Sequence, residues 1–311
     1  MSRYDVIVIG EIMVELYCDE ELADGATLRL GFSGDALNAA AAAAAAGART
    51  AVLTAVGKDE VGDAIIRRVE ELGIEPALIR REPRSNGAYL VHGDLTGHRQ
   101  FSYWRNGSAA STLDVADVMP LPDTGAVVLS GITAALSDTA EQAVLAAAQA
   151  AHAAGAAVIY DPNYRPKLTT AARARKVLAA VAPYCTLITP SCPGDAEPLL
   201  DTNSPTSAAA AVLAYGARSV AITAGAEEVL IDGAPGVVRL PVPKTPNAVD
   251  ATGAGDVLTG TTAARLSLGD PLIEAIRLGV GAAALSVTGR GGTGHIPTLA
   301  QTTAAAPPLP H

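Results

Sequence analysis

Short apolar segments alternate with longer amphipathic or alanine-rich segments along most of this 311-residue chain. The apolar segments have the length of buried β-strands, and the longer segments have the length of helices. This alternation predicts an α/β fold, in which a central, mainly parallel sheet is sandwiched by helices. The predicted strands are Val6–Ile9, Thr50–Val56, Ala126–Ser130, Ala156–Tyr160, Leu187–Thr189 and Ser219–Thr223. The predicted helices are Ala36–Ala46, Glu60–Leu72, Asp138–Ala154, Arg173–Val181, Ser207–Tyr215, Val257–Leu268 and Leu272–Ser286.

Two segments, about 14–34 and 85–106, break this alternation. Both have β-like patterns with turn residues and no helix between them, which predicts a small second sheet that projects as a lid. Four of the chain's few aromatic residues, Tyr89, Phe101, Tyr103 and Trp104, lie in the second segment. They either stabilise the small sheet alone or form a wall that closes over a substrate. The adjacent arginine, at position 105, favours the second interpretation.

The composition narrows the classes of function. A formal net charge of −10 disfavours a nucleic-acid partner. The longest apolar runs, such as Ala39–Ala46, are too short to span a bilayer, so no membrane association is expected. Cys18, Cys185 and Cys192 are too few and too unevenly spaced for a disulfide framework or a zinc site. A reducing, cytoplasmic compartment is therefore expected. At this length, one large domain and two smaller ones both remain open.

The run from Asp250 to Asp256 is the strongest candidate for a catalytic site. Its small residues, Gly253, Ala254 and Gly255, stand between a predicted strand and a predicted helix. There, backbone N–H groups and the helix N-terminus can converge on an anion. The adjacent carboxylate of Asp256 is a candidate general base, and this combination fits phosphoryl transfer to a hydroxyl. The alternative is that a polar residue in this run simply caps the helix.

Two further loops contain candidate binding residues. Asp161–Pro166 follows a predicted strand, and it is either a proline-rich turn or a site where Asn163 and Arg165 meet a phosphate or carboxylate. Ser33–Asn38 precedes the alanine-rich helix, and its polar groups either cap that helix or bind sugar hydroxyls. The run Gly289–Gly294 matches the spacing of a dinucleotide fingerprint. No helix is predicted directly after it, so this interpretation is rejected.

Over nearly its whole length the chain resembles ribokinase-like (PfkB) sugar kinases. The resemblance rests on the Ser33-Gly34-Asp35…Asn38 motif, on Gly225 after a predicted strand, and on the highly specific Asp250–Asp256 signature. Within that family, three further features are similar to 2-keto-3-deoxygluconate kinases. These are Tyr89, the run Phe101–Arg105 with Ser108-Ala109-Ala110, and Asp161–Pro166. Kinases of 5-keto-2-deoxygluconate and fructokinases share parts of this set.

The resemblance implies a single ribokinase-like domain over residues 1–311, with ATP and Mg²⁺ as cofactors. Asp256 would accept the hydroxyl proton, and Gly253, Ala254 and Gly255 would form the anion hole. The implied substrate-binding residues are Gly34, Asp35, Asn38, Tyr89, Tyr103, Arg105 and Arg165. The implied nucleotide-binding residues are Asn163, Thr223, Gly225, Gly253 and Gly255. Asp250 and Thr252 would help to hold a monovalent cation such as K⁺.

The sequence departs from the family pattern at two places. The usual Asn-x-x-Glu motif, which holds magnesium through water, would align near Ser191–Gly194, where neither polar residue is present. Asp195 and Glu197 are the candidate replacements. In addition, Glu228 stands where the family has the second glycine of a Gly-x-x-Gly near ATP. This side chain either repels a nucleotide phosphate or points to solvent.

These observations predict a cytoplasmic kinase that transfers phosphate from ATP to a hydroxyl of a sugar acid, with closure of the lid. The expected reaction converts 2-keto-3-deoxygluconate to its 6-phosphate. Arg105 and Arg165 favour a carboxylated substrate. The alternatives are a kinase for a neutral ketose or for 5-keto-2-deoxygluconate, and a non-catalytic protein that binds a sugar or nucleotide. The aromatic edge of the small sheet predicts a homo-oligomer.

Overall fold

The computed structural model describes residues 4–93, 99–234 and 236–309. Part of the predicted lid, residues 94–98, lies outside these ranges, as do the chain ends of the predicted 1–311 domain. The strands of the large sheet are β1 Tyr4–Ile9, β4 Thr50–Gly57, β5 Ile79–Glu82, β8 Thr124–Ser130, β9 Ala157–Asp161, β10 Leu187–Ile188, β11 Ser219–Thr223, β12 Glu228–Gly233 and β13 Val238–Pro241. The strands of the small sheet are β2 Met13–Cys18, β3 Arg29–Ser33, β6 Gly87–Gly93 and β7 Arg99–Trp104.

Within the described ranges, the large sheet has nine strands in the order β13-β12-β11-β10-β9-β8-β1-β4-β5. All neighbours from β11 to β5 pair in parallel, whereas β12 and β13 are antiparallel. The prediction of a mainly parallel sheet is therefore confirmed. The sequence analysis missed β5 and the antiparallel hairpin of β12 and β13.

The helices are α1 Asp35–Ala45, α2 Glu60–Glu71, α3 Val115–Val118, α4 Gly131–Ala134, α5 Asp138–Ala153, α6 Ala171–Val181, α7 Ala196–Leu200, α8 Pro205–Ala214, α9 Ala254–Ser267, α10 Leu272–Ser286 and α11 Leu299–Ala305. They cover both faces of the large sheet. Along β1, Ile7 and Ile9 pack into one core, whereas Val6 and Val8 pack into a second core on the other face. A strand that is buried on both faces needs a continuous apolar run, which explains the sequence of β1.

Helices α1 and α9 run in parallel and in close contact. The amide of Asn38 bonds to Asp256 near one end of the pair, and Arg265 bonds to the Ala46 carbonyl near the other. A Cβ atom at Gly260 would lie only 2.0 Å from the carbonyl oxygen of Ala39. Glycine in α9 and alanine in α1 therefore permit an approach that larger side chains would prevent. As a result, the N-terminal turns of both helices lie side by side.

The small sheet has the strand order β3-β2-β6-β7 in the described part of the chain. Strands β2 and β6 pair in parallel, and the outer two pairs are antiparallel. The predicted small sheet is thus present, and its role as a lid stays a prediction. No helix within the described ranges is long and apolar enough to cross a membrane.

Candidate active site

The run from Asp250 to Asp256 forms the turn into helix α9. Gly253 precedes the helix with φ of 79°, a left-handed conformation that glycine adopts readily. The helix begins at Ala254, three residues before the predicted start, so Asp256 lies within its first turn. The first N–H groups of a helix have no intrahelical acceptor, and they can therefore bind an anion at this position.

The side chain of Asp250 holds this turn in place through hydrogen bonds. Its buried carboxylate accepts hydrogen bonds from the N–H of Thr252 at 2.8 Å and from the N–H of Gly291 at 2.9 Å. The Gly289–Gly294 run is therefore a turn that supports the catalytic loop, and helix α11 begins only at Leu299. The roles of Asp250 and Thr252 in binding a monovalent cation stay predictions.

Two asparagine side chains hold the carboxylate of Asp256. Asn38 Nδ2 donates to Oδ2 at 2.9 Å, and Asn163 Nδ2 donates to Oδ1 at 3.2 Å. Ser33 in turn donates to the Asn38 side-chain oxygen at 3.1 Å, which orients that amide. Both carboxylate oxygens therefore have a donor that fixes the plane of the group. The sequence analysis assigned these two asparagines to substrate and nucleotide, and it did not predict their contact with Asp256.

Burial raises the pKa of Asp256 to about 7, and the negative charge of Asp35 contributes to this increase. The hydrogen bonds from Asn38 and Asn163 and the positive charge of Arg165 act in the opposite direction. A pKa near neutrality suits a general base, since the group is partly ionised and still basic enough to accept a proton.

Asp35 and Asp161 line one small cavity together with Asn163 and Asp256. Burial raises the pKa of Asp35, and Oδ2 of this side chain has no hydrogen-bond partner among the described residues. Burial, together with the charges of Asp195 and Asp256, raises the pKa of Asp161 well above its usual value. Several carboxylates thus share a site with too little positive charge to neutralise them.

Arg165 supplies part of the missing positive charge. Its side chain is exposed, and its charge lowers the pKa values of Asp35, Asp161 and Asp256. In the described structure its Nη1 atom donates to the carbonyl oxygen of Tyr164 at 2.9 Å. The guanidinium therefore lies near the carboxylates without an ion-pair partner among the described residues, as the predicted role in anion binding requires.

Arg105 has a different environment. It follows β7, which ends at Trp104, and its side chain is only 8% exposed. Its Nη2 atom lies 2.5 Å from Oε2 of Glu11, and Ser108 donates to Oε1 of the same carboxylate. The sequence analysis missed Glu11. The signal was available, because this glutamate follows strand β1 and Gly10 just as Asp161 ends β9.

The aromatic residues of the small sheet form a cluster. The ring of Tyr89 lies 5.9 Å from that of Tyr103 and 6.2 Å from that of Phe101. The Tyr89 hydroxyl donates to Oε1 of Glu15 at 2.5 Å, and Glu15 is a second buried carboxylate that the sequence analysis missed. Trp104 is 57% exposed and does not belong to this cluster.

Of the predicted nucleotide residues, Thr223 is the last residue of β11 and Gly225 follows that strand, which lies two strands away from β9 in the sheet. Gly225 has φ of 60°, which fits a turn that glycine favours. Glu228 at the start of β12 forms an ion pair with Arg239 on β13, and Arg239 also donates to Thr206. The carboxylate of Glu228 thus has a cationic partner, which weakens the repulsion that it would exert on a phosphate.

Asp195 and Glu197 do not reproduce the usual magnesium motif. Asp195 is buried, and it accepts hydrogen bonds from the N–H of Tyr164 at 2.7 Å, the N–H of Ser191 at 2.8 Å and the Ser191 hydroxyl at 2.6 Å. This carboxylate holds the 191–195 turn together. Glu197 is exposed at the start of α7. Among the described residues, no group of three or more His, Cys, Asp or Glu side chains is placed to hold a metal by itself.

Comparison with known proteins identifies the family. The pattern of the pfkB family carbohydrate kinase matches residues 3–299, nearly the whole chain. This chain belongs to the pfkB family of carbohydrate kinases. It is therefore a phosphotransferase with an alcohol group as acceptor, which agrees with a carboxylate beside an anion-binding helix terminus.

Three known proteins illustrate the similarity. The 2-dehydro-3-deoxygluconokinase of Escherichia coli K12 is 31% identical over 279 residues, which cover 85% of this chain and 89% of that protein. The 2-dehydro-3-deoxygalactonokinase of Haloferax volcanii is 28% identical and covers 92% of each chain. The solved structure of an E. coli protein provisionally described as ribokinase II, in complex with ATP and Mg²⁺, is 25% identical. It has a TM-score of 0.86 and covers 96% of this chain and 98% of its own.

The hydrogen bonds from Asn38 and Asn163 to Asp256 lead to a testable prediction about the pKa of this carboxyl. Asn38→Ala removes a hydrogen bond that favours the charged carboxylate, so the pKa should rise above the wild-type value of about 7. A rise of about one unit is expected, because such a bond contributes ~1.5 kcal/mol and one unit corresponds to ~1.4 kcal/mol. Carboxyl ¹³C NMR titration measures it. Ser33→Ala, which removes only the support of Asn38, should produce a smaller rise. A pKa unchanged in Asn38→Ala would contradict the assignment.

Proposed function

We propose that this kinase phosphorylates a sugar acid with ATP, and that 2-keto-3-deoxygluconate (2-dehydro-3-deoxygluconate) is its substrate, with the 6-hydroxyl as acceptor. The observation that carries the proposal is the position of Asp256. Two amides hold it in the first turn of α9, beside a turn that can bind an anion. The similarity to named 2-dehydro-3-deoxygluconokinases supports the choice of substrate.

In the proposed reaction, Asp256 accepts the proton of the attacking hydroxyl. Asn38 and Asn163 keep its carboxylate oriented toward that hydroxyl. The N–H groups of Gly253, Ala254 and Gly255 stabilise the negative charge on the transferring phosphoryl group. Thr223 and Gly225 contact the nucleotide at the end of β11. A closed small sheet excludes water, which otherwise competes as acceptor.

Asp161 is the side chain that fits a magnesium ion. Mg²⁺ binds nucleotide phosphates and water, and it needs only one or two carboxylates from the protein. The raised pKa of Asp161 reflects burial near Asp195 and Asp256, and a divalent cation would offset that repulsion. The ion would supply charge neutralisation on the phosphates. For K⁺, the turn at Asp250 and Thr252 is the proposed location.

The arginines support an acidic substrate over a neutral one. Arg165 is exposed and lies near Asp35, Asp161 and Asp256, and Arg105 lies behind the aromatic cluster with its charge directed to Glu11. Gly34, Asp35, Tyr89 and Tyr103 then bind the hydroxyl groups. A neutral ketose would leave the exposed guanidinium of Arg165 without an anionic partner. The two hydrogen bonds that orient the Asp256 carboxylate disfavour the non-catalytic alternative, because a protein that only binds a sugar or nucleotide does not need an oriented base.

Replacement of the proposed base tests the chemistry. Asp256→Asn keeps the shape of the side chain and removes the proton acceptor, so kcat should fall by ~10²–10⁴-fold. Substrate binding, measured by calorimetry, should persist. A coupled assay of ADP release measures the rate, with Asp195→Asn as a control for loss of a buried carboxylate outside the proposed base position. A near-wild-type kcat in Asp256→Asn would remove this residue from the mechanism.

The choice between acid and neutral sugar is tested at Arg105. Arg105→Gln keeps a polar side chain opposite Glu11, and a charge-assisted hydrogen bond contributes ~1.5–3 kcal/mol. We therefore expect kcat/KM for 2-keto-3-deoxygluconate to fall by ~10–150-fold, and kcat/KM for fructose to change much less. Arg165→Ala is the companion variant. Equal losses for both sugars would favour the neutral-ketose alternative.

The outer face of the small sheet is the proposed surface for self-association. Leu30 is 62% exposed and Trp104 is 57% exposed, and edge strands of this kind are usually covered. We propose a homodimer in the cytoplasm, where the three free cysteines would stay reduced. Light scattering should give a dimer at micromolar concentration, and Trp104→Glu should shift it to monomer. A wild-type protein that remains monomeric with and without ligand would exclude this assembly.

A further inference from the structure

Glu11 occupies a position that the proposed chemistry leaves unexplained. Its side chain is fully buried just beyond the end of β1 in the large sheet. Charged side chains are rarely buried to this extent unless they have a specific partner. A Cβ atom at Gly87 would lie 2.5 Å from Oε1 of this carboxylate, so the small sheet leaves room for the group only because residue 87 is glycine.

The contacts of Glu11 join the two sheets. Oε2 lies 2.5 Å from Nη2 of Arg105, which follows the last strand of the small sheet. Oε1 accepts a hydrogen bond from the Ser108 hydroxyl. The carboxylate of Glu11 therefore holds one end of the guanidinium through an ion pair that is anchored in the large sheet.

The guanidinium has donors that no hydrogen bond satisfies. Nε and Nη2 of Arg105 are buried, and neither has a hydrogen-bond acceptor among the described residues, although Nη2 makes the ion-pair contact with Glu11. Oδ2 of Asp35 is likewise buried without a partner in that part of the chain, and the charge of Arg105 acts on Asp35. Buried polar atoms without partners mark a place where a ligand completes the hydrogen bonds. Asp35 lines the same cavity as Asp256, so the unsatisfied acceptor lies at the proposed sugar site.

We propose that Glu11 is a positioning residue, which orients the guanidinium of Arg105 so that its remaining donors meet the carboxylate of the sugar acid. This inference rests on the proposed function. A planar guanidinium binds a carboxylate strongly only when the two are aligned, so its orientation affects affinity as much as its charge. Glu11 itself does not contact the substrate.

The direction of the change in KM distinguishes a positioning role of Glu11 from simple compensation of the Arg105 charge. Glu11→Gln keeps the shape of the side chain and removes its charge. If Glu11 positions Arg105, KM for 2-keto-3-deoxygluconate should rise about tenfold, kcat should change less than twofold, and fructose kinetics should hardly change. If Glu11 only screens Arg105, the freed positive charge should lower KM for the acid, and this result would overturn the proposal.

A double-mutant cycle tests the coupling. Glu11→Gln should have no further effect on KM in an Arg105→Gln background, whereas additive effects would show that Glu11 acts independently.

A second variant keeps the proposal testable if Glu11→Gln does not fold. Ser108→Ala leaves the ion pair intact, and it should raise KM two- to threefold. Glu82→Gln is the matched control, since it breaks a partly buried ion pair with Arg80 outside the site and should leave KM unchanged.

Two readouts distinguish failure of this inference from failure of the proposed function. Thermal unfolding of the wild-type protein, the two single variants Glu11→Gln and Arg105→Gln, and the double variant measures the coupling between Glu11 and Arg105 without any substrate. Calorimetry measures binding of the sugar acid without turnover. An active wild-type enzyme with additive variants would overturn the positioning role alone. A wild-type protein that neither binds nor phosphorylates a sugar acid would overturn both proposals.

Discussion

The close, parallel packing of α9 on α1 is the constraint on which the candidate site depends. Gly260 allows the backbone of α9 to approach Ala39, and both helices then begin at the same edge of the sheet. Asn38 can reach Asp256 only because the first turns lie side by side. A bulky residue at this contact would separate the base from its donor, although neither contact residue takes part in chemistry.

The same geometry creates an electrostatic cost. Strands β1, β8 and β9 end beside these two helix termini, and they bring Asp35, Asp161 and Asp256 into one cavity. Burial raises the pKa values of all three carboxyls, and the charges of neighbouring carboxylates add to the increase at Asp161 and Asp256. Helix N-termini favour negative charge and offset part of this cost. The remainder favours the binding of a cation or of hydrogen-bond donors, such as sugar hydroxyls, at this site.

Much of the fold follows from local patterns, whereas the pairing of site residues does not. Buried strands and the glycine turn before α9 are encoded within a few residues, so their prediction succeeded. Strands β12 and β13 were missed because charged residues such as Glu228 and Arg239 interrupt their apolar pattern. The contact between Asn163 and Asp256 joins residues 93 positions apart, and it depends on the order of strands in the sheet. Glu11 could have been singled out because it follows β1, but no sequence spacing predicts the contact of Glu11 with Arg105 or of Glu15 with Tyr89.

The turn at Gly289–Gly294 connects parts of the molecule that would otherwise move separately. Gly291 donates to Asp250 at the turn into α9, and the hydroxyl of Thr293 donates to the Phe32 carbonyl on β3 of the small sheet at 2.9 Å. One short segment therefore joins the small sheet to the loop at the start of α9 by hydrogen bonds. In the proposed closure, a movement of the small sheet would act on that loop through this segment, and it would link the proposed sugar and nucleotide halves of the site.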